Sequence, residues 1–399
     1  MAAVASLLLV ALVGLAPLAA GSDARWAFIG RFAGEGVGMA ADSARHARDW
    51  QQLAGTAVTV VETVGAGAGD ADLKRTRRIA RDGEVPCEQS SRVGASETEA
   101  SFAGFLDWGL ALAGDRPCLL ALMGHGTGPV WGGAPRGDGW RLWSPCSGHH
   151  PGLSAASLAA TLRHSLAKAG RNRVQVLVLE TCFGASLEVL AELRACAEII
   201  IAAPGEVVSP GIHWRLPRLG EAVRPDALAA DLLRGQLSEP GDGPIWSLTA
   251  CTTTQIGAVT TALMGACSAA SREMQTFRAA AGRAEAASAL GERLPGCCDL
   301  ADLAAGLEAY AQGSELGQAA DVLASGVRRM VVGRVVLGGR QDARAKTLQR
   351  AGVTLGLPPT STQGIGGYLL QTSLARETGW GKLLEAYLKQ SRADSPFIP

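Results

Sequence analysis

Short apolar runs alternate with segments of helical period through the first half of the chain, and this alternation restricts the possible folds. The runs have the length of β-strands and lie at residues 26–32, 56–64, 118–123, 176–179 and 198–203, with a weaker one at 75–80. Strands that alternate with helices form parallel sheets covered by helices. The sequence therefore predicts an α/β fold built on an open, mostly parallel sheet flanked by helices.

The helices between these strands are predicted from apolar residues at helical spacing. They are expected at residues 40–53, 97–113 and 185–194, and a further helix capped by Ser154 is expected to carry Leu158, Leu162 and Leu166 on one face. Beyond about Trp214 the pattern becomes mainly helical and rich in alanine, with helices expected at 226–237, 258–280 and 300–311. A short late strand is expected at 353–359, and a final helix is expected to open at Thr378.

Composition indicates a globular protein with a large core. The chain has 399 residues, of which 47% are apolar, and its 37 Lys plus Arg balance its 37 Asp plus Glu. Such a chain forms one large domain or two. Because the chain has no excess of basic residues, the sequence argues against a nucleic-acid partner.

The N-terminus resembles an export signal. Residues 1–20 contain no charged side chain, and small residues follow the apolar stretch at a plausible cleavage point near Ala20 or Ala24. An uncleaved membrane anchor and a buried N-terminal segment are the alternatives. Since no other segment is long and apolar enough to span a bilayer, no stable membrane partner is expected.

Nine cysteines fit an oxidising compartment, where eight could pair and leave one free. If Cys182 is the free thiol, at least one disulfide is expected among the others. The alternative is that several of them are small buried apolar residues.

Two of the apolar runs are each followed, at their C-terminal end, by a reactive side chain. His125 follows the run at 118–123, and Cys182 follows the run at 176–179. In open parallel sheets these ends carry the chemistry, so the two side chains can form a base and nucleophile pair. We expect the helix after Cys182 to favour the thiolate, and the amides of Gly126 and Cys182 to act as oxyanion donors. The alternative is a histidine hydrogen-bonded in a turn and a small buried cysteine.

A strand ending in His-Gly and a later one ending in an acidic residue, a small residue and cysteine is similar to the clan of caspases, legumains, gingipains and clostripain. Within that clan the chain resembles clostripain over residues 26–388. The further matches are Phe105-Leu106-Asp107-Trp108, Asp138-Gly139, Pro204-Gly205-Glu206, the segment 209–214, Gly352-Val353-Thr354-Leu355 and Thr378-Gly379-Trp380.

The resemblance implies a caspase-like catalytic domain at 25–214 after a signal peptide at 1–24. A mainly helical region at 215–399 would complete the fold. It also implies an endopeptidase that forms an acyl-enzyme on Cys182, uses His125 as acid and base, and cleaves protein or peptide substrates after Arg or Lys. The family usually has Asp two residues before the nucleophile, whereas this chain has Glu180, with Thr181 in place of Ala. Glu180 is expected to bind the basic side chain by a bidentate contact, with Glu206 as a second wall of the pocket.

Precursor processing and calcium are implied by the resemblance alone. Family members are often cut in the loop after the histidine strand, where Arg136 and Arg141 are the basic residues of this chain. No loop with calcium-ligand spacing is present in the sequence, so no metal site is predicted and no cofactor is required. The sequence leaves the oligomeric state open.

Two other function classes stay open. The departure at Glu180-Thr181 allows a secreted binding protein that keeps a degenerate peptidase fold. The same dyad could also serve a transpeptidase or ligase that passes its acyl-enzyme to an amine.

Overall fold

The computed structural model describes the chain between residues 26 and 393, with gaps. The described residues are 26–33, 45–46, 49, 58–66, 73–80, 87–93, 99–126, 153–207, 211–212, 224–236, 246–287, 297–337, 352–357 and 372–393. The predicted signal peptide and the segment around Arg136 and Arg141 lie outside them.

A nine-stranded sheet forms the centre of the described structure, in the order β10-β8-β7-β6-β5-β1-β2-β3-β4. Its strands are β1 (Ala27–Ala33), β2 (Val58–Ala66), β3 (Leu73–Ala80), β4 (Cys87–Val93), β5 (Cys118–Met123), β6 (Val174–Glu180), β7 (Ala197–Ala202), β8 (Trp246–Thr252) and β10 (Val331–Leu337). The five central strands from β7 to β2 are parallel, and the outer strands pair antiparallel. The predicted open, mostly parallel sheet is confirmed.

Helices flank the sheet, as predicted. They are α1 (Glu99–Ala113), α2 (Ala155–Lys168), α3 (Leu187–Leu193), α4 (Pro225–Gly235), α5 (Thr253–Arg272), α6 (Met274–Ala287), α7 (Leu300–Tyr310), α8 (Glu315–Met330), α9 (Ser373–Glu377) and α10 (Trp380–Ala393). The described residues between 40 and 53, namely 45, 46 and 49, are also helical.

Both faces of the sheet are buried, because successive side chains of a strand point to opposite sides. In β1, Ala27 and Ile29 join one apolar cluster, while Trp26, Phe28 and Phe32 join another. The first cluster packs against helices α1, α2, α3 and α5, and the second packs against α4. Central strands covered on both sides read as continuous apolar runs, which is why the sequence identified them.

The C-terminal half differs from the prediction in detail. The helix expected at 258–280 is two helices, because Glu273 leaves the helical conformation between α5 and α6 and its carboxylate accepts the N–H of Leu316 at 3.3 Å. Strands β8 and β10 and helices α8 and α9 were not predicted, and neither was β4 in the N-terminal half. The late strand is shorter than expected: β11 (Thr354–Gly356) pairs antiparallel with β9 (Cys297–Asp299) in a separate two-stranded sheet.

The expected disulfides are wrong for the cysteines whose side chains the structure describes. Seven of them are free thiols, and all except Cys182 are buried: Cys118, Cys196, Cys251, Cys267, Cys297 and Cys298. They fill the core as small apolar side chains. Cys146 and the side chain of Cys87 lie outside the described residues.

Within the described part of the chain, no helix has the length and apolar character needed to cross a bilayer.

Candidate active site

The pairing of β5 with β6 brings His125 and Cys182 to the same edge of the sheet. Met123 pairs with Glu180 in the parallel register, and the Gly124 N–H donates to the Glu180 carbonyl at 3.2 Å. Two further residues along each strand lead to His125 and Cys182. Adjacent strands lie about 4.8 Å apart, so the two residues leave the sheet side by side.

A left-handed turn positions the cysteine. Phe183 has φ +59°, which is uncommon for a residue with a side chain. Its N–H donates to the Gly205 carbonyl at 2.8 Å, and the Ala185 N–H donates to the Ala203 carbonyl at 2.9 Å. The turn therefore ends the strand abruptly and ties Cys182 to the segment that follows β7.

The C-terminal strand β11 holds these two segments together. The Thr354 N–H donates to the Ala185 carbonyl at 3.2 Å, and its hydroxyl donates to the Pro204 carbonyl at 3.2 Å. The neighbouring Gly356 N–H donates to the buried carboxylate of Glu188 on α3 at 2.7 Å. Thr354 thus connects the turn after Cys182 with the loop after β7.

Backbone amides surround the thiol of Cys182. The Val207 N–H donates to its sulfur at 3.3 Å, and hydrogen bonds from the amides of Cys182 and Gly126 also favour the thiolate. The thiol reaches the Val207 carbonyl at 3.9 Å. Gly126 is the neighbour of His125, so the His-Gly turn contacts the Cys182 sulfur directly.

The pKa of the Cys182 thiol is raised above its ordinary value, chiefly because burial disfavours the charged form. The Val207 amide opposes this shift, the negative charge of Glu206 adds to it, and the amides of Cys182 and Gly126 oppose it. The expectation of a thiolate favoured by the following helix is therefore wrong for this state. Helix α3 begins only at Leu187, and desolvation outweighs the donors around the sulfur.

Iodoacetamide is expected to modify Cys182 before the other described cysteines, at a rate that still rises above neutral pH. Only the thiolate reacts, and a raised pKa leaves less thiolate at neutral pH than the ordinary value of about 8.5 would give. Burial raises the pKa of Cys118 and Cys196 to about 11, and that of Cys251 and Cys267 to about 12. Peptide mapping by mass spectrometry across a pH series measures this order, and a rate at Cys182 that levels off below neutral pH would contradict it.

Glu180 ends β6 and is 3% exposed. Its Oε1 accepts the Ile212 N–H at 2.6 Å and lies 3.1 Å from His46 Nε2. Gly211, with φ +71°, lies so close that a Cβ there would collide with Oε1. The predicted availability of both oxygens for a bidentate contact is therefore wrong in this conformation, because Oε1 already has two partners.

The other predicted site residues divide into two groups. Glu206 is exposed and lies near enough to Cys182 for its charge to act on the thiol. Arg136 and Arg141 lie outside the described residues. Over the ranges that the structure describes, no cluster of three or more His, Cys, Asp and Glu side chains could hold a metal ion.

Sequence reasoning did not select Phe183, Val207, Thr354 or His46. Val207 follows Pro204-Gly205-Glu206, and Thr354 lies within Gly352-Val353-Thr354-Leu355. The segments Pro204-Gly205-Glu206 and Gly352-Val353-Thr354-Leu355 are among the matches with clostripain, and this is the signal in the sequence for a position at the site. No signal in the sequence identified the backbone of Phe183 or the partner of Glu180.

No protein-family model matches the chain. No curated protein matches it either.

Solved structures do match. A secreted C11 cysteine protease from Bacteroides thetaiotaomicron, in complex with an irreversible peptide inhibitor, is 13% identical with a TM-score of 0.58, covering 91% of this chain and 100% of that chain. A structure of a secreted C11 protease from the same organism, called iotapain, is 10% identical with a TM-score of 0.60, over 91% and 99% of the two chains.

An inactive zymogen of a C11 protease from Parabacteroides distasonis is 11% identical with a TM-score of 0.55, over 89% of this chain and 98% of that chain. At such low identity the likeness establishes the architecture. The chain has the caspase-like fold of the C11, or clostripain-type, cysteine proteases.

Proposed function

We propose that this chain is an exported cysteine endopeptidase of the clostripain type, which hydrolyses peptide bonds after basic residues. Cys182 is the nucleophile and His125 is the acid and base. The substrates are proteins or peptides.

The carrying observation is the in-register pairing of β5 with β6 together with the amide of Gly126 at the Cys182 sulfur. Two strand ends thereby deliver an imidazole and a thiol to one place, between backbone donors. The fold shared with C11 cysteine proteases supports this assignment.

The reaction divides into two steps. His125 takes the thiol proton, the sulfur attacks the carbonyl carbon, and the C–N bond breaks as the imidazolium gives its proton to the leaving amine. Water then attacks the thioester with His125 as base, the C–S bond breaks, and the thiol re-forms. The amides of Gly126 and Cys182 would stabilise the oxyanion, because they already point to the region of the sulfur.

Glu180 binds the basic side chain that precedes the cleaved bond, and Glu206 is the second acidic group of this region. The buried carboxylate of Glu180 lies two residues from the nucleophile, which supports its role. The charge of Glu206 reaches the thiol, which supports a position at the edge of the same pocket.

A panel of reporter peptides tests this function. The purified chain is incubated with peptides that differ only in having Arg, Lys, Asp or Asn before the scissile bond, with and without a calcium chelator. We expect cleavage of the Arg or Lys peptides only. If the Asp or Asn peptide is preferred, the assignment of Glu180 is wrong. Loss of activity with chelator would identify the calcium requirement implied by the resemblance.

The same samples test self-processing, which we propose to occur after Arg136 or Arg141. Wild type is expected to give two fragments on a denaturing gel, whereas Cys182→Ala stays a single band. Identical single bands would contradict processing. An added amine that captures most of the acyl group would identify a transpeptidase instead. Alkylation of Cys182 no faster than that of the buried cysteines would identify a degenerate binding protein.

A further inference from the structure

The two oxygens of the Glu180 carboxylate have different surroundings. Oε1 lies 3.1 Å from His46 Nε2 and accepts the Ile212 N–H at 2.6 Å. A carboxylate only accepts hydrogen bonds, so His46 donates from Nε2. Each carboxylate oxygen has two lone pairs, and the two donors therefore saturate Oε1.

Oε2 of Glu180 is buried and has no hydrogen-bond partner among the residues that the structure describes. Burying a carboxylate oxygen without a donor is unfavourable, because its hydration is lost and nothing replaces it. A positively charged donor from a bound substrate would supply the missing contact. The carboxylate therefore offers one oxygen to a ligand.

His46 holds Oε1 in a rigid environment. Its side chain is fully buried, and its ring lies 4.9 Å from the ring of Phe32. Gly211 closes against Oε1, and Arg45 Nη2 lies 3.7 Å from the point that a Cβ on Gly211 would occupy. The Arg45 guanidinium limits the net negative charge around Glu180, and the His46 ring and Gly211 limit the freedom of its carboxylate to rotate. Recognition of a substrate then depends on short-range contacts to Oε2.

We propose that His46 makes this pocket select lysine over arginine at the residue before the cleaved bond. This inference depends on the proposed function, in which Glu180 contacts that residue. A guanidinium binds a carboxylate best through two parallel N–H bonds, one to each oxygen. An ammonium is a compact charge that needs only one oxygen, so the loss of Oε1 penalises arginine more than lysine.

The test uses the full chain and three peptides that differ only in having lysine, arginine or uncharged norleucine before the scissile bond. Wild type is expected to favour lysine over arginine by about tenfold in kcat/KM, the effect of one charge-assisted hydrogen bond. His46→Leu frees Oε1, so arginine cleavage is expected to rise and the preference to vanish. His46→Gln keeps an N–H donor of similar reach and is expected to retain the preference, as is the exposed-site control His164→Gln.

Equal cleavage of the lysine and arginine peptides by wild type would overturn the proposal. So would an unchanged ratio in a folded His46→Leu variant. If His46→Leu does not fold, inhibition of wild type by pentylamine and by butylguanidine gives the same comparison, with the amine expected to bind more tightly and the reverse order contradicting the proposal. Cleavage of the norleucine peptide alone would instead show that the basic specificity of the proposed function is wrong.

Discussion

Replacing Cys182 with alanine is expected to abolish peptide hydrolysis, and replacing His125 with alanine is expected to lower kcat/KM by about 10²–10⁴-fold. The first change removes the atom that forms the acyl-enzyme in the proposed mechanism. The second leaves a thiol whose pKa is raised by burial, without a base to ionise it. Because the two residues act in one proton transfer, the double variant should be no slower than Cys182→Ala.

Kinetics on the preferred basic peptide measure these losses, and circular dichroism verifies the fold of each variant. Cys267→Ala is the matched cysteine control, because Cys267 is buried in the alanine-rich helix α5 away from the two strand ends. His164→Ala is the histidine control on the exposed side of α2. Hydrolysis at the wild-type rate in Cys182→Ala would show that another residue is the nucleophile.

Replacing Glu62 with glutamine is expected to lower the free energy of unfolding by about 3–5 kcal/mol. The Glu62 carboxylate lies 3.1 Å from the Arg31 guanidinium, and both side chains are 0% exposed. Arg77 donates to it at 2.7 Å, and Arg75 lies 3.5 Å away. Without the carboxylate, Arg31 would remain buried with its charge uncompensated beneath Phe102 and Phe105, whose rings lie 5.6 and 5.3 Å from the guanidinium carbon.

Urea unfolding measures this loss against the exposed pair Arg272 and Glu315, whose side chains are 54% and 68% exposed. Glu315→Gln is expected to cost less than about 1 kcal/mol, because solvent screens an exposed pair. The double variant Arg31→Met with Glu62→Leu is expected to lose less than Glu62→Gln, since it removes the buried charge together with its partner. A cost for Glu62→Gln as small as that for Glu315→Gln would mean that the carboxylate does not stabilise the arginines.

The central strands could be predicted because strands that are buried on both faces consist of consecutive apolar residues. All six residues of β5 are buried, and so are six of the seven in β6. Helix α2 could be predicted because Ser154 caps it, with its side chain accepting the Ser157 N–H at 3.0 Å. In these elements, local chemistry and tertiary environment agree.

The outer strands could not be predicted in the same way. In β4, Gln89, Ser90 and Ser91 are exposed, so this edge strand has no apolar pattern. In β8, Ser247 and Thr249 are buried among apolar neighbours and interrupt the run. Their strand conformation depends on pairing with segments that are distant in sequence. Such pairing cannot be recognised from the residue pattern of a single sequence.

The candidate site divides along the same line. His125 and Cys182 could be identified because each follows a recognisable strand. The contact between His46 and Glu180 joins residues separated by 134 positions, and it occupies one oxygen of the carboxylate. The raised pKa of Cys182 also depends on burial by segments that only the fold brings together. The sequence thus predicts which residues follow the strands, whereas their hydrogen-bond partners and pKa depend on the fold.

The strand order divides the sheet between β5 and β6 into an earlier and a later part of the chain. Strands β1 to β5, all from before residue 127, occupy one side of the sheet, and β6, β7, β8 and β10 occupy the other. The imidazole of His125 belongs to the part of the chain before residue 127, and the sulfur of Cys182 belongs to the part after it. The earlier part alone would expose the unpaired apolar edge of β5, and the later part alone would expose that of β6. Unpaired strand edges of this kind favour aggregation. A single break between these strands would therefore yield two fragments that cover these edges only while they stay together as a non-covalent heterodimer.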